Sequence, residues 1–279
     1  MMKLITPCLV ALLIASTAIA EPGGSQQTSD IAAAISAAST GKHRSADNIT
    51  RNHYRHPIET LVFFGLTQDM TVLEIHPGAL WYTEILAPVL KANGQLIVAG
   101  HDISIEDQPA YRYRQQASMV ERLAKEATVF GDVKIASFTP PRSIGLGEPA
   151  SVDMVLTFRN FHGWIRDGVA ATNMQAFYQV LKPGGVLGVV QHRTDMPGLL
   201  ASGKISGYVS ETKMIELAEG AGFVLEARSD INANPNDKHE HPEGVWTLPP
   251  TLRLGEKNRQ SYIEIGESDR MTLRFRKPA

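Results

Sequence analysis

Seven short, mostly apolar runs punctuate the chain, at residues 70–76, 95–100, 133–138, 152–158, 186–191, 223–227 and 271–276. Runs of this length are strand-sized, and strands apolar on both sides must be covered on both faces. The stretches between them carry helical patterns. Pro57 can start a helix that reaches Gly65, and a second spans 83–92, with Pro88 inside it and Asn93-Gly94 as its stop. Others are predicted at 109–127, at 172–181 up to Lys182-Pro183-Gly184-Gly185, and after Ser210, which caps a helix with Glu211 in its first turn. Strands alternating with helices predict an α/β fold with a doubly wound sheet. There are no internal repeats and no change of composition regime, so residues 46–279 are read as one domain.

The first twenty residues stand apart. Lys3 precedes an apolar stretch too short to span a bilayer comfortably, and Ala18-Ile19-Ala20 offers the small-x-small pattern of a signal-peptidase site. Residues 1–20 are therefore expected to be a cleaved signal peptide, which places the mature protein in the periplasm or outside the cell with no stable membrane anchor. Cleavage also removes Cys8, the only cysteine, leaving a chain with no thiol to misoxidise. Residues 21–45, rich in Ala, Ser, Gln, Thr and Gly, are expected to form a flexible N-terminal arm. A formal net charge of −2 over 279 residues excludes a nucleic-acid binder that relies on broad phosphate neutralisation.

Several segments together resemble the class I S-adenosylmethionine-dependent methyltransferases. They are Leu181-Lys182-Pro183-Gly184-Gly185 before an apolar run, Leu217-Ala218-Glu219-Gly220-Ala221-Gly222-Phe223, and Arg270-Met271-Thr272-Leu273-Arg274-Phe275. More narrowly, the chain resembles a group of exported bacterial predicted methyltransferases, through Arg55-His56-Pro57, Trp81-Tyr82-Thr83-Glu84, Phe158-Arg159-Asn160 and Gly244-Val245-Trp246-Thr247-Leu248-Pro249-Pro250. The resemblance implies a Rossmann-like seven-stranded sheet, mostly parallel, whose last strand is antiparallel. It implies S-adenosylmethionine as cofactor and methyl transfer to a small-molecule acceptor.

The resemblance puts the cofactor loop at Glu74-Ile75-His76-Pro77-Gly78-Ala79-Leu80. The family's pattern has glycines at the second, fourth and sixth positions after the acidic residue; here His76 and Leu80 replace two and Gly78 remains. Leu80 is expected to project into the cofactor's place. Asp102 is the expected carboxylate for the ribose hydroxyls. The cofactor-binding candidates are thus Glu74, His76, Gly78, Ala79, Asp102 and Asn160, and the substrate-binding candidates are Trp81, Tyr82, Arg159 and Trp164.

His76, His101, His162 and His192 each follow one of the apolar runs. In a parallel sheet such positions come to one edge, so the four are expected to line the cleft. His162 and His192 are the candidate catalytic bases, since histidine can take a proton near neutral pH. Two other readings stay open. One is a catalytically altered relative that binds a ligand in the same cleft; the other is a metal-binding protein that uses the four histidines. Arg159 and Arg193 are candidates for holding an anionic acceptor, against salt bridges to Asp153 or Asp195.

Overall fold

All seven apolar runs form strands of a single sheet. The computed structural model describes residues 22–195 and 204–279, so the expected signal peptide lies outside the described residues. Helices α1 (Pro22–Ser39), α2 (Ala46–Thr50), α3 (Asn52–Arg55) and α4 (Pro57–Phe64) precede the sheet. Strand β1 (Thr71–Ile75), α5 (Thr83–Leu90), β2 (Gln95–Gly100), α6 (Ala110–Lys125), α7 (Ala127–Phe130), β3 (Lys134–Thr139) and β4 (Ser143–Gly145) make the first half. The second half comprises β5 (Val152–Phe158), α8 (Phe161–Arg166), α9 (Ala170–Val180), β6 (Leu181–His192), α10 (Glu211–Glu219), β7 (Val224–Ser229), α11 (Arg259–Ile265) and β8 (Arg270–Arg276).

The strand order is β4-β3-β2-β1-β5-β6-β8-β7. Strands β3, β2, β1, β5 and β6 are parallel, and β8 runs antiparallel to both β6 and β7. Chain order reverses between β1 and β5, and in open α/β sheets ligands bind beyond the strand ends at that point. Alternate residues feed two cores. Val72, Val98, Met154 and Leu156 face α1, α4 and α5, while Leu73, Ile75, Val155 and Leu187 face α9 and α10.

The sheet has eight strands rather than seven. The extra one, β4, is a three-residue edge piece antiparallel to β3. Its central Ile144 is 45% exposed, so no buried apolar run announces it.

The described residues of the expected flexible arm, 22–45, are ordered rather than flexible. Most of them form α1, which packs against α4 and α5 through Ile31, Ile35 and Ala38, all buried. Each buried isoleucine contributes roughly 2 kcal/mol. The turn after α1 is tied down as well. Arg44 donates from Nε to Glu84 at 2.9 Å and from Nη1 to the Ser39 carbonyl, and His43 Nε2 donates to the Glu84 carbonyl at 2.8 Å. Ser210 caps α10 as expected, its Oγ accepting from Lys213 N.

Candidate functional site

A cleft of about 330 Å³ opens beyond the C-terminal ends of β1, β5 and β6. It brings together Glu74, His76, Gly78, Ala79, Trp81, Tyr82, Arg159, Asn160, His162 and His192 from the sequence candidates. Arg51, Arg55, Gln115 and Phe158 line it too, and sequence reasoning gave them no role; Trp246, which could stack on an adenine or an aromatic substrate, is there as well. Trp246 arrives from the long segment between β7 and β8, on a 3-10 turn.

The loop after β1 keeps an unusual backbone. The residues at the three glycine positions are all left-handed, with φ of +46° at His76, +60° at Gly78 and +66° at Leu80. For a non-glycine residue this costs about 1–2 kcal/mol. The loop is pinned in that shape by His76 N donating to the Ala99 carbonyl and Leu80 N donating to the Pro77 carbonyl. At Gly78 a Cβ would meet nothing within 4 Å, so the loop is open towards the cleft there.

Leu80 does not project into the cleft. Its side chain is 2% exposed and belongs to the core facing α4 and α5. A left-handed backbone at residue 80 coincides with that inward placement, and burial of the side chain offsets the conformational cost.

His76 is the side chain that stands across the strand ends. Its Nε2 donates to the Phe138 carbonyl at 2.9 Å, and its ring lies 4.4 Å from that of His101. Burial, helped by His101, pushes His76 down to about 3, and burial together with Arg112 pushes His101 to about 4. Both rings are neutral at physiological pH. The expected row of four histidines is therefore two pairs: His76 with His101, and His162 with His192 at 5.9 Å between ring centroids. Among the described residues no three His, Cys, Asp or Glu side chains are grouped to hold a metal ion.

Asp102 and Trp164 fall outside the cleft lining, as do His101 and Arg193. Asp102 folds back on its own turn, its Oδ1 accepting from Ser104 N and Oγ. A short aspartate at the start of a polar turn satisfies local donors first. Trp164 is 6% exposed and packs edge-on against Phe161, as part of the core beneath α9. Trp81 and Tyr82 line the cleft but are already engaged. Trp81 has the guanidiniums of Arg44 and Arg55 at 4.6 and 4.7 Å from its ring centre, and Tyr82 stacks on Phe158 at 3.5 Å. Asn160 donates to the Ile75 carbonyl, joining the β5 end to β1.

The two cleft imidazoles are held differently. Gln191 Nε2 donates to His162 Nδ1 at 3.4 Å, which puts the proton of the neutral ring on Nε2. His192 Nδ1 shares a 2.5 Å hydrogen bond with Ser268 Oγ. Burial and the nearby Arg159 push His162 down to about 4 and His192 well below the ordinary histidine value. Glu74 is 1% exposed and accepts a 2.6 Å hydrogen bond from Thr83 Oγ1; burial pushes its carboxyl up to about 7.

Arg193 lies away from the cleft and forms salt bridges, to Asp269 and Asp230 rather than to Asp153 or Asp195. Arg159 does not pair with Asp153, which instead binds Lys182 and the Thr71 amide.

The architecture can be set against known proteins. No protein-family model and no curated protein matches the sequence. Solved structures do match. A SAM-dependent methyltransferase from Aquifex aeolicus aligns with a TM-score of 0.54 at 14% identity, covering 82% of this chain and 93% of that one. The chain has the methyltransferase fold. The [4+2]-cyclase SpnF aligns with a TM-score of 0.56 at 13% identity, over 91% of this chain and 94% of its own. A fold shared between a methyltransferase and a cyclase carries no activity by itself.

Proposed function

We propose that the protein transfers a methyl group from S-adenosylmethionine to a small-molecule acceptor in the cleft beyond β1, β5 and β6. The observation that carries this is the loop at residues 74–80. It retains left-handed backbone at all three positions where the family has glycine, although two of them are His76 and Leu80. The open space at Gly78 and the inward turn of Leu80 leave that cradle free for the cofactor's methionine part. Bound there, S-adenosylmethionine supplies an electrophilic methyl group carried on a sulfonium.

The chain's own residues position the acceptor and handle its proton. Methyl transfer is an in-line displacement, accelerated mainly by alignment. His162, protonated at Nε2 by the Gln191 bond, can donate to an acceptor oxygen or nitrogen. His192 takes the proton the acceptor loses, through Nε2, when Nδ1–H donates to Ser268. Export to the periplasm, by cleavage before Glu21, belongs to the same proposal; the N-terminal mass of the mature protein checks it.

A second reading has one observation in its favour. The His76 ring, bonded to Phe138 and set against His101, lies on the side of the loop towards Asp102, where the resemblance puts the ribose. A relative that binds another ligand and transfers no methyl would have no need to move it. Isothermal titration of the purified protein with S-adenosylmethionine and S-adenosylhomocysteine separates the two. Saturable binding is the expected result. Silence with both ligands overturns methyl transfer and leaves the second reading.

A further inference from the structure

Three guanidiniums converge on one carboxylate, and a fourth stands near it, unpaired among the described residues. Glu267 accepts from Arg51 Nε at 2.7 Å, from Arg55 Nε at 2.9 Å and from Arg270 Nη1 at 3.2 Å. Arg159 lies close enough to Glu267 to interact with its charge. Among the described residues, the Arg159 side chain has no hydrogen-bond or ion-pair partner, although it stands in the cleft wall.

Arg55 is the second anomaly. The residue is 0% exposed, and its Nη1 and Nη2 are buried without a hydrogen-bond partner. Stacking on Trp81 satisfies part of its charge, but no donor. Buried charges are ordinarily paired and buried donors bonded, because an unmet charged donor carries the full desolvation penalty. The cleft's own acidic side chain, Glu74, is engaged by Thr83 Oγ1, and burial pushes its carboxyl up to about 7, so below neutral pH it is mostly uncharged. Arg159 follows β5 and is held left-handed at φ +65°, beside the two imidazoles proposed to handle the acceptor.

We propose that Arg159, with Arg55 and Arg51, forms a subsite for an oxyanion carried by the acceptor: a carboxylate or a phosphate. Arg159 is its direct partner, and Arg55, whose two Nη groups lack partners, lines the same cleft beside it. The bound group would reduce the positive excess around Glu267 and fix the acceptor's reactive end towards His162 and His192. The role of this group as an acceptor's handle rests on the methyl-transfer reading; binding of the oxyanion itself does not.

The test titrates inorganic phosphate into the full-length protein at constant ionic strength, with chloride as the reference, and repeats it with S-adenosylmethionine present. The expected result is saturable phosphate binding that persists beside the cofactor and weakens about tenfold in Arg159→Gln. Arg228→Gln, which removes a 62%-exposed guanidinium on β7, should leave it unchanged. Circular dichroism and melting temperature establish that Arg159→Gln is folded, and Arg51→Gln supplies a second, half-buried variant. Phosphate binding no stronger than chloride's, or unaltered in both variants, overturns the subsite.

A further arm compares S-adenosylmethionine with its decarboxylated analogue. If phosphate competes with the cofactor, and Arg159→Gln weakens only the carboxylated form, the oxyanion is the cofactor's own and the acceptor proposal falls. If S-adenosylmethionine does not bind at all, methyl transfer fails separately while the phosphate titration still decides the subsite.

Discussion

Glu267 accepts a 2.9 Å hydrogen bond from Arg55 although 212 residues separate them. The bond ties the segment before β8 to the helices that precede β1. Burial opposes ionisation of Glu267, but Arg55, Arg270 and Arg51 outweigh it and hold the carboxyl down to about 2. Glu267→Gln would leave buried guanidiniums with no counter-charge and should cost about 3 kcal/mol in urea denaturation at pH 7. The ordinary carboxyl value of 4.5 lies above the folded one, so this stabilisation is present above pH 4.5 and is lost as pH falls towards 2. The gap between wild type and variant should close over that window. A gap that is constant with pH would show that the carboxylate's charge is not what stabilises the site.

Glu74 shows the opposite linkage. Its folded value near 7 exceeds the ordinary 4.5, so between those values the fold keeps a proton that the unfolded chain has lost. Stability therefore falls as pH rises through that window and is level above it. Glu74→Gln keeps an acceptor for Thr83 and cannot ionise. At pH 8 the variant should be more stable than wild type by on the order of 2–3 kcal/mol, with the advantage vanishing near pH 4. Equal urea midpoints at pH 8 would mean that Glu74 ionises at no cost.

Much of the fold was legible because the parallel strands are buried on both faces and therefore read as apolar runs, as Val152–Phe158 does. Strand β4 was not, since its three residues bury little. Helix α1 was missed because alanine and serine surround its two anchoring isoleucines, though Ile31 and Ile35 stand one helical turn apart. The imidazole and tryptophan positions were legible only as strand-end placements; their pairing came from side-chain direction. Arg51 and Arg55 were invisible as a site. Their partner Glu267 lies more than two hundred residues away, and no local pattern announces a pair of that span.

The left-handed loop makes two substitutions behave oppositely. To clear the space above β2, the His76 ring must give up its bond to Phe138 and its contact with His101. Together these are worth about 2 kcal/mol, or roughly thirtyfold in affinity. His76→Gly removes that cost in advance and should strengthen S-adenosylmethionine binding by about that factor in isothermal titration. Unchanged or weaker binding would clear His76 of obstructing the cofactor.

Leu80→Gly should do nothing of the kind. The substitution relieves about 1–2 kcal/mol of left-handed strain but empties a buried leucine site, which typically costs 2–5 kcal/mol. The expected outcome is a net loss of about 1–3 kcal/mol in urea denaturation, with cofactor affinity unaltered. A gain in affinity would mean that the side chain leaves the core and enters the cleft in solution.

His192 and His162 should separate turnover from binding. Neither is placed to hold the loop, so His192→Ala and His162→Ala should lower kcat far more than S-adenosylmethionine affinity. The loss should be about a hundredfold or more for the residue that takes the proton. The Ser268 bond singles out His192 for that role, and Ser268→Ala should reproduce part of its loss by freeing the tautomer. The pH profile supplies an independent readout. A base must be unprotonated to act, and burial with Arg159 holds His162 near 4 and His192 well below its ordinary 6.5. The acid limb of kcat should therefore lie near or below pH 4, not near 6.5. A limb at 6.5, or full turnover in both alanine variants, would remove these two imidazoles from the proton's path and return the search to acceptors that need no base.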